Sequence, residues 1–363
     1  MKNKKKKSST TTKVSLCTPT FNRRPFIHMM IQNIMEQTYP KHLMEWIIVD
    51  DGTDPIGDLV KDIPFVRYFY EKERMDLGKK RNYMHNKCSF NGPDDIIVYI
   101  DDDDYYPPER VSHAVETLNK NRKALCAGSS ELYLWFNELD KMYKFGPYGP
   151  NHATAGTFAF RRKLLDDTCY EDNALLAEEK HFLKNYTVPF VQLNTLKTIL
   201  VVAHRQNTFD KKNIIDVNSP MCNESSLTPN HFIKSDETKE FYVDKLDDIL
   251  KAYKEGDVLN KPKIVEEINR RKKLQQVRQI MRTNSDGTRT PLSHNELVEL
   301  FEKINKENQE LKATKTATVT QTLSDGSTKI LNVNDMVQLI KQHQAEISQL
   351  KNKIDKIKSI ITS

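Results

Sequence analysis

Four short apolar runs decide most of what this chain can become. They are Val14-Ser15-Leu16-Cys17-Thr18-Pro19-Thr20, Trp46-Ile47-Ile48-Val49, Phe65 to Tyr70 and Ile96-Ile97-Val98-Tyr99-Ile100. Each is rich in β-branched or aromatic residues and too short for a stable helix, so each reads as a strand. Helical patterns lie between them. Phe26, Met29, Met30 and Ile34 recur at helical spacing over residues 26–37, and residues 78–87 read as a second helix. Strands alternating with helices predict an α/β fold with a mostly parallel central sheet and helices on both faces. In such sheets ligands bind outside the C-terminal ends of the strands. Here those ends are Thr18-Pro19, Asp50-Asp51-Gly52 and Asp101-Asp102-Asp103-Asp104, so one edge is expected to collect them.

The four consecutive aspartates carry the strongest chemical signal. Like charges in sequence usually mark a solvated loop. This run instead leaves a core strand and stops at Pro107-Pro108, before a helix that can begin near Glu109-Arg110-Val111. Fixed at a ligand-binding edge, the carboxylates point to a metal or ligand site and not to a solvated turn.

Composition limits the alternatives. The 363 residues suffice for one enzyme-sized domain and something smaller, while a hydrophobic content of 37% points to an extended or solvated portion. The formal charge of +6 equals the lysines that precede the first strand, Lys2, Lys4, Lys5, Lys6, Lys7 and Lys13, with no acid among them. The remaining chain is neutral, which argues against a nucleic-acid partner and against a carboxylate–metal nuclease. The tail, residues 1–12, reads as a disordered basic arm, with a nuclear address or an anionic-surface tether as alternatives. The five cysteines are odd in number, widely spaced and without a C-x-x-C pair, the pattern of free thiols in a reducing compartment. No run is apolar enough to span a membrane and no signal peptide follows the lysines, so a cytoplasmic location is expected.

Past residue 210 the character changes. Residues 211–235 are polar and rich in Asn and Ser, as in a linker or flexible loop, and the rest of 211–281 reads as charged helix packing on or leading from the first domain. Residues 282–363 hold an internal repeat offset by 39 positions: Ser285-Asp286-Gly287 recurs as Ser324-Asp325-Gly326, and Val298 and Leu300 as Val337 and Leu339. Asp-Gly between β-formers signals a hairpin, and apolar residues at helical spacing follow it. Each unit is expected to be a hairpin and an amphipathic helix, the last one close to a coiled-coil seam. A homo-oligomer formed through these repeats is the expected use.

Within the first domain, Cys17-Thr18-Pro19-Thr20-Phe21-Asn22-Arg23, Ile48-Val49-Asp50-Asp51-Gly52-Thr53-Asp54, Gly78-Lys79-Lys80-Arg81-Asn82 and Tyr99-Ile100-Asp101-Asp102-Asp103-Asp104 resemble, in order and spacing, the fingerprints of family 2 glycosyltransferases. The resemblance covers about residues 13–206 and implies a GT-A fold over residues 13–210. It further implies a nucleotide-sugar donor of UDP or GDP type, a glycan or protein acceptor hydroxyl, manganese or magnesium, and inversion at the anomeric carbon. The family's D-x-D motif fits Asp101-Asp102-Asp103. By resemblance Asp103 would bind the metal, Asp101 would hold ribose or a water on the ion, and Asp104 is the next contact. Alternate side chains of a β-like trace share a face, which turns Asp102 away as a surface or structural carboxylate, with nucleotide-sugar contact as its alternative role.

Thr18, Pro19 and Arg23, with Asp50 or Asp51, would hold the base and ribose. Lys79 and Arg81 fit the family's basic loop, with Lys80 left to solvent. Gly156, in Ala155-Gly156-Thr157-Phe158, fits the floor of the sugar site, where a small residue permits close backbone approach. Leu176-Ala177-Glu178-Glu179-Lys180-His181-Phe182 resembles the family's acidic pair, which makes Glu179 the general base and Glu178 its orienting neighbour. Two solvated glutamates at a helix start are the plainer alternative, and the family more often has Asp at the second position. His204 ends a strand-like run and is a candidate metal ligand, and Arg205 beside it can face the diphosphate. A non-catalytic sugar-nucleotide-binding protein with docking repeats is the competing function. The Asn- and Lys-rich style and the appended repeat also resemble proteins of large DNA viruses, which would make the compartment a host cytoplasm.

Overall fold

The computed structural model describes residues 12–176, 178–216 and 219–278, and beyond these 281–284, 287–292, 296, 299–304, 306, 319–322, 326–331 and 333–361. The chain divides into two compact units at residue 280. The lysines before Lys13, and several positions of the repeat, lie outside the described residues.

The first unit is built on a seven-stranded sheet. Its members are β1 (Val14–Thr20), β2 (Met44–Asp50), β3 (Val66–Tyr70), β4 (Ile96–Tyr99), β5 (Cys126–Gly128), β8 (Ala159–Arg161) and β9 (Phe190–Gln192), in the spatial order β3-β2-β1-β4-β8-β5-β9. Every neighbouring pair is parallel except the two made by β8, which runs antiparallel to both β4 and β5. The expected mostly parallel α/β sheet is therefore present, in a GT-A-like arrangement.

The strands read as continuous apolar runs because both faces are covered. Trp46, Ile48, Ile96 and Val98 pack on one side with Ile27, Met30 and Ile34 of α1 (Arg24–Met35). Ile47, Val49, Ile97 and Tyr99 pack on the other with Met84 of α3 (Leu77–Lys87), Phe158 and Phe182. Period-two alternation thus deals each strand's side chains to two different cores.

A smaller sheet holds β6 (Leu132–Phe136) and β7 (Lys141–Phe145) as a hairpin, with β10 (Val201–Ala203) beside β6 and β11 (Cys222–Glu224) beside β7. The reading of residues 211–235 as linker needs correction: Cys222 enters this sheet, and Phe232 and Ile233 are buried against Trp135 and Val202. Their apolar residues are too sparse to show a period, so only tertiary packing reveals them. The helix α6 (Asp236–Lys239) runs through a π-helical turn, Glu240–Lys245, into α7 (Leu246–Ala252), and α8 (Pro262–Arg278) ends the unit. All five cysteines are free, with the buried thiols of Cys17 and Cys88 3.7 Å apart. Among the described residues, no helix is long and apolar enough to cross a membrane.

In the second unit, Met281–Thr283 pairs antiparallel with Arg289–Pro291, and Val319–Thr322 with Thr328–Leu331. Gly287 and Gly326 sit in the turns at φ of +80° and +81°, a conformation open to glycine. Residues 299–304 are helical, and a second helix spans Val333–Ile361.

Candidate active site

The strand ends open onto a cleft of about 570 Å³, lined at one end by Asp101, Asp102 and Asp103. Strand β4 stops at Tyr99, so the aspartates lie in an irregular loop pinned by the Tyr105–Leu200 bridge. Strand alternation does not apply there, and this corrects the orientation expected of Asp102. Its carboxylate faces the cleft, 3.6 Å from Arg23 Nε, while Arg23 Nη2 lies 3.6 Å from Asp103 Oδ2. Asp104 is the member that turns away: its Oδ1 accepts from the Val202 amide at 3.0 Å and lies 4.0 Å from Lys211 Nζ.

His204 is buried behind Asp103, and its Nε2 donates to Asp103 Oδ2 at 3.1 Å while Nδ1 accepts from the Gln206 amide. Burial alone would raise the Asp103 carboxyl, but the His204 hydrogen bond and the Arg23 cation hold it well below the usual carboxylate range. Its neighbours go the other way. Burial, with the Asp103 charge adding to it, pushes Asp102 up to about 7. Burial pushes Asp104 up to about 8, against the pull of Lys211, and raises Asp101 as well. One ionised carboxylate beside three that resist ionisation is a setting that added positive charge would relieve. The carboxylate oxygens suit manganese or magnesium, whereas the His204 imidazole, with both nitrogens engaged, orients Asp103 and has no lone pair left for an ion, which corrects its expected role as a ligand. Among the described residues, no group of three or more His, Cys, Asp or Glu forms a metal-binding cluster.

The other strand ends divide into groups that face the cleft and groups that build it. Pro19 and Asp51 line it. Thr18 does not: it is fully buried, and its Oγ1 accepts from Trp46 Nε1 at 2.9 Å. Asp50 is likewise spent on the fold, accepting from the Gly52 amide, the Ile56 amide and the Tyr68 hydroxyl, so it shapes the loop after β2 instead of reaching a ligand.

The basic loop is rearranged relative to expectation. Lys79 is exposed, whereas Lys80 is buried, donates to Thr20 O and pairs with Asp51. The cause is helical phase: Lys80, Arg81 and Met84 share the inward face of α3, and Lys79 lies outside it. Arg81 lines the cleft with its guanidinium 4.4 Å over the Tyr99 ring, while its Nε donates to Glu178 Oε1 at 2.7 Å. Its Nη1 is buried without a partner.

That ion pair separates the two glutamates. Glu178 is buried and committed to Arg81, whereas Glu179, the first residue of α5 (Glu179–Phe182), is partly open. Glu179 Oε1 accepts from the Ala155 amide at 3.2 Å. Burial, and then the charge of Glu178, lift the Glu179 carboxyl to about 7. The turn Ala155–Thr157 bridges Glu179 to the aspartates, since a Cβ on Gly156 would stand only 2.6 Å from Asp101 Oδ2.

Part of the wall comes from residues that the sequence did not single out. Asn260, Lys261, Pro262 and Ile264 line the cleft together with the strand ends. This strap is stitched down by backbone carbonyls: Asn22 Nδ2 donates to Glu255 O at 2.9 Å, and Arg74 Nη1 to Asn260 O at 3.2 Å. Arg23 completes the seam through Gly256 O and Gln206 O. Nothing local in the sequence marks these contacts, because the partners are more than 180 positions apart.

The sequence model of the family described as Glycosyl transferase family 2 matches residues 15–171. Residues 15–171 are thus similar to a family 2 glycosyltransferase domain. An uncharacterized glycosyltransferase of Rickettsia conorii is 30% identical over 127 residues, 33% of this chain and 20% of that protein. One from Rickettsia bellii is 30% identical over 139 residues, 36% of this chain and 18% of its own length. The chain thus spans about a fifth of the length of these curated relatives. Among solved structures, a mannosyltransferase from Pyrobaculum calidifontis, in complex with GDP-Man and Mn2+, shares 16% identity at a TM-score of 0.43, covering 54% of this chain and 58% of that one. S. aureus TarS with UDP-GlcNAc shares 18% identity at a TM-score of 0.39, covering 52% of this chain and 58% of that one. The matched span holds Arg23, Asp51, Arg81 and the aspartates. Glu178, Glu179, His204 and the strap lie beyond the matched span.

Proposed function

We propose that this protein transfers a sugar from a nucleoside-diphosphate donor to an acceptor hydroxyl, with inversion. The observation that carries the reading is the convergence, in one cleft of the family 2 domain, of Asp51, Asp101, Asp102 and Asp103 with the cations Arg23 and Arg81. Pro19 and Asp51 are assigned to the nucleoside, and the unpartnered Arg81 Nη1 to a donor oxygen. Asp103, oriented by His204 and with Asp101 beside it, would hold a divalent ion, which when bound supplies Lewis-acid neutralisation of the departing diphosphate.

Glu179 is the proposed base. The acceptor oxygen forms a bond to the anomeric carbon as the bond from that carbon to the diphosphate oxygen breaks. The proton of the acceptor hydroxyl passes to the Glu179 carboxylate, and the nucleoside diphosphate leaves with the electron pair. Glu178 positions this group indirectly, through Arg81 and through its charge. Viral origin and a cytoplasmic location remain expectations from the sequence alone.

The test is hydrolysis and transfer with a panel of UDP- and GDP-sugars in the presence of manganese. Asp103→Asn is expected to abolish turnover and the manganese dependence of donor binding, measured by calorimetry. Full activity of this variant would remove Asp103 from the metal site, and no response of the wild type to any donor would leave a non-catalytic protein.

A further inference from the structure

Lys261 stands out as a cation without a matching anion. It is 5% exposed, lines the same cleft as Arg23, Arg81 and three of the aspartates, and comes from the strap, outside residues 15–171. The hydrogen bond of its Nζ is a long one, 3.5 Å to Thr208 Oγ1, and its ammonium lies 5.5 Å from the centre of the Phe21 ring. Among the described residues, no carboxylate lies within ion-pair distance of it. Burying an ammonium without a partner is costly. Burial and the nearby Arg23 cation depress its proton affinity, with Asp102 and Asp103 pulling in the opposite direction. The backbone does not relieve this cost: the strap is held by Asn22, Arg23 and Arg74, so the lysine is carried to the cleft by contacts in which its side chain takes no part.

We propose that Lys261 binds the diphosphate of the nucleotide donor. The assignment rests on the glycosyltransferase reading and adds to it a donor-binding group supplied from outside the matched domain. A diphosphate is the anion this site lacks. It would lie in the cleft that Lys261, Arg23 and Arg81 all line, and each contact would be a charge-assisted hydrogen bond. The strap thereby links donor binding to the seam at Asn22 and Arg23.

Calorimetric titration of the full chain with UDP, UMP, GDP and GMP tests the assignment. The Lys261→Met variant is expected to bind whichever diphosphate the wild type binds about ten- to hundred-fold more weakly, the range for a hydrogen bond to a charged group. Its affinity for the matching monophosphate should fall less, and Lys261→Arg should keep most of the diphosphate affinity. Ligand-free Lys261→Met should melt no lower than the wild type, because it loses an unpaired buried charge. Equal diphosphate affinity of wild type and Lys261→Met would overturn the assignment while leaving the transferase reading standing. A lower melting temperature with unchanged binding would make Lys261 a structural residue. Failure of the wild type to bind any of the four would overturn the transferase reading itself.

Discussion

Arg81 and Glu178 form a buried pair whose members are 5% and 4% exposed, and the fate of each charge depends on the other. Removing one partner strands the other in an apolar shell of Tyr99 and Tyr170. Glu178→Leu is therefore expected to lower stability by about 3–5 kcal/mol in denaturant unfolding. The double variant Glu178→Leu/Arg81→Met should recover much of that loss, because neither charge is then left alone. An additive double variant would show that the pair is not coupled.

Beside it, Glu179 supplies a pH signature. A carboxyl raised to about 7 is protonated and useless as a base at lower pH, and it ionises as the pH rises. The rate of transfer should climb with pH through about 7 with the slope of a single proton. Glu179→Gln should abolish that limb and cut turnover, with donor affinity largely kept. A limb that persists in this variant assigns the base elsewhere.

Helix α3 shows how an element, not a residue, decides what reaches the cleft. Its start is docked on the loop before α5: the Gly78 amide donates to Ala174 O at 3.0 Å, and a Cβ at Gly78 would fall 1.9 Å from Glu171 O. A backbone oxygen cannot swing aside, so Gly78→Ala must displace the helix or the loop. The expected cost is about 1–3 kcal/mol, with a matching loss of donor affinity, since Lys80 and Arg81 move with the helix. An unchanged melting temperature would contradict this.

The same helix marks how far the sequence could be read. Strands β1, β2 and β4 are legible because buried parallel strands are largely apolar runs. The edge strand β3 is legible from its aromatic residues, and the aspartates are legible because they follow β4. The roles of Lys79 and Lys80 are not, because three adjacent basic residues carry no sign of helical phase. Asp50 and Thr18 resisted for another reason. A carboxylate at a strand end looks the same whether it meets a ligand or, as here, the Gly52 and Ile56 amides. The orientation of Asp102 is not legible because the strand, and with it the alternation, ends at Tyr99.

At the scale of the whole chain, the cleft requires residues well beyond the span matched by the family model but within the first unit. Cutting the chain after residue 255 would remove Asn260, Lys261 and the Gly256 carbonyl that Arg23 uses, so that variant should lose donor binding and stability. Cutting after residue 280 keeps the strap and the start of every contact it makes, and donor affinity should match that of the full chain. The second unit then becomes testable by itself. Val337, Ile340, Ile347 and Leu350 are 44%, 57%, 51% and 57% exposed on the helix Val333–Ile361. Their spacing of three, seven and three places them along one stripe, the pattern of a helix that packs against another copy. We therefore propose that this helix joins copies of the chain. Light scattering should find the full chain as an oligomer and residues 1–280 as a monomer with the same donor affinity. Changing Ile340 and Ile347 together to Lys in the full chain should reproduce the monomer without altering donor binding. A full chain that is monomeric at all concentrations would leave the stripe for a different partner, and a variant that still assembles would place the interface elsewhere.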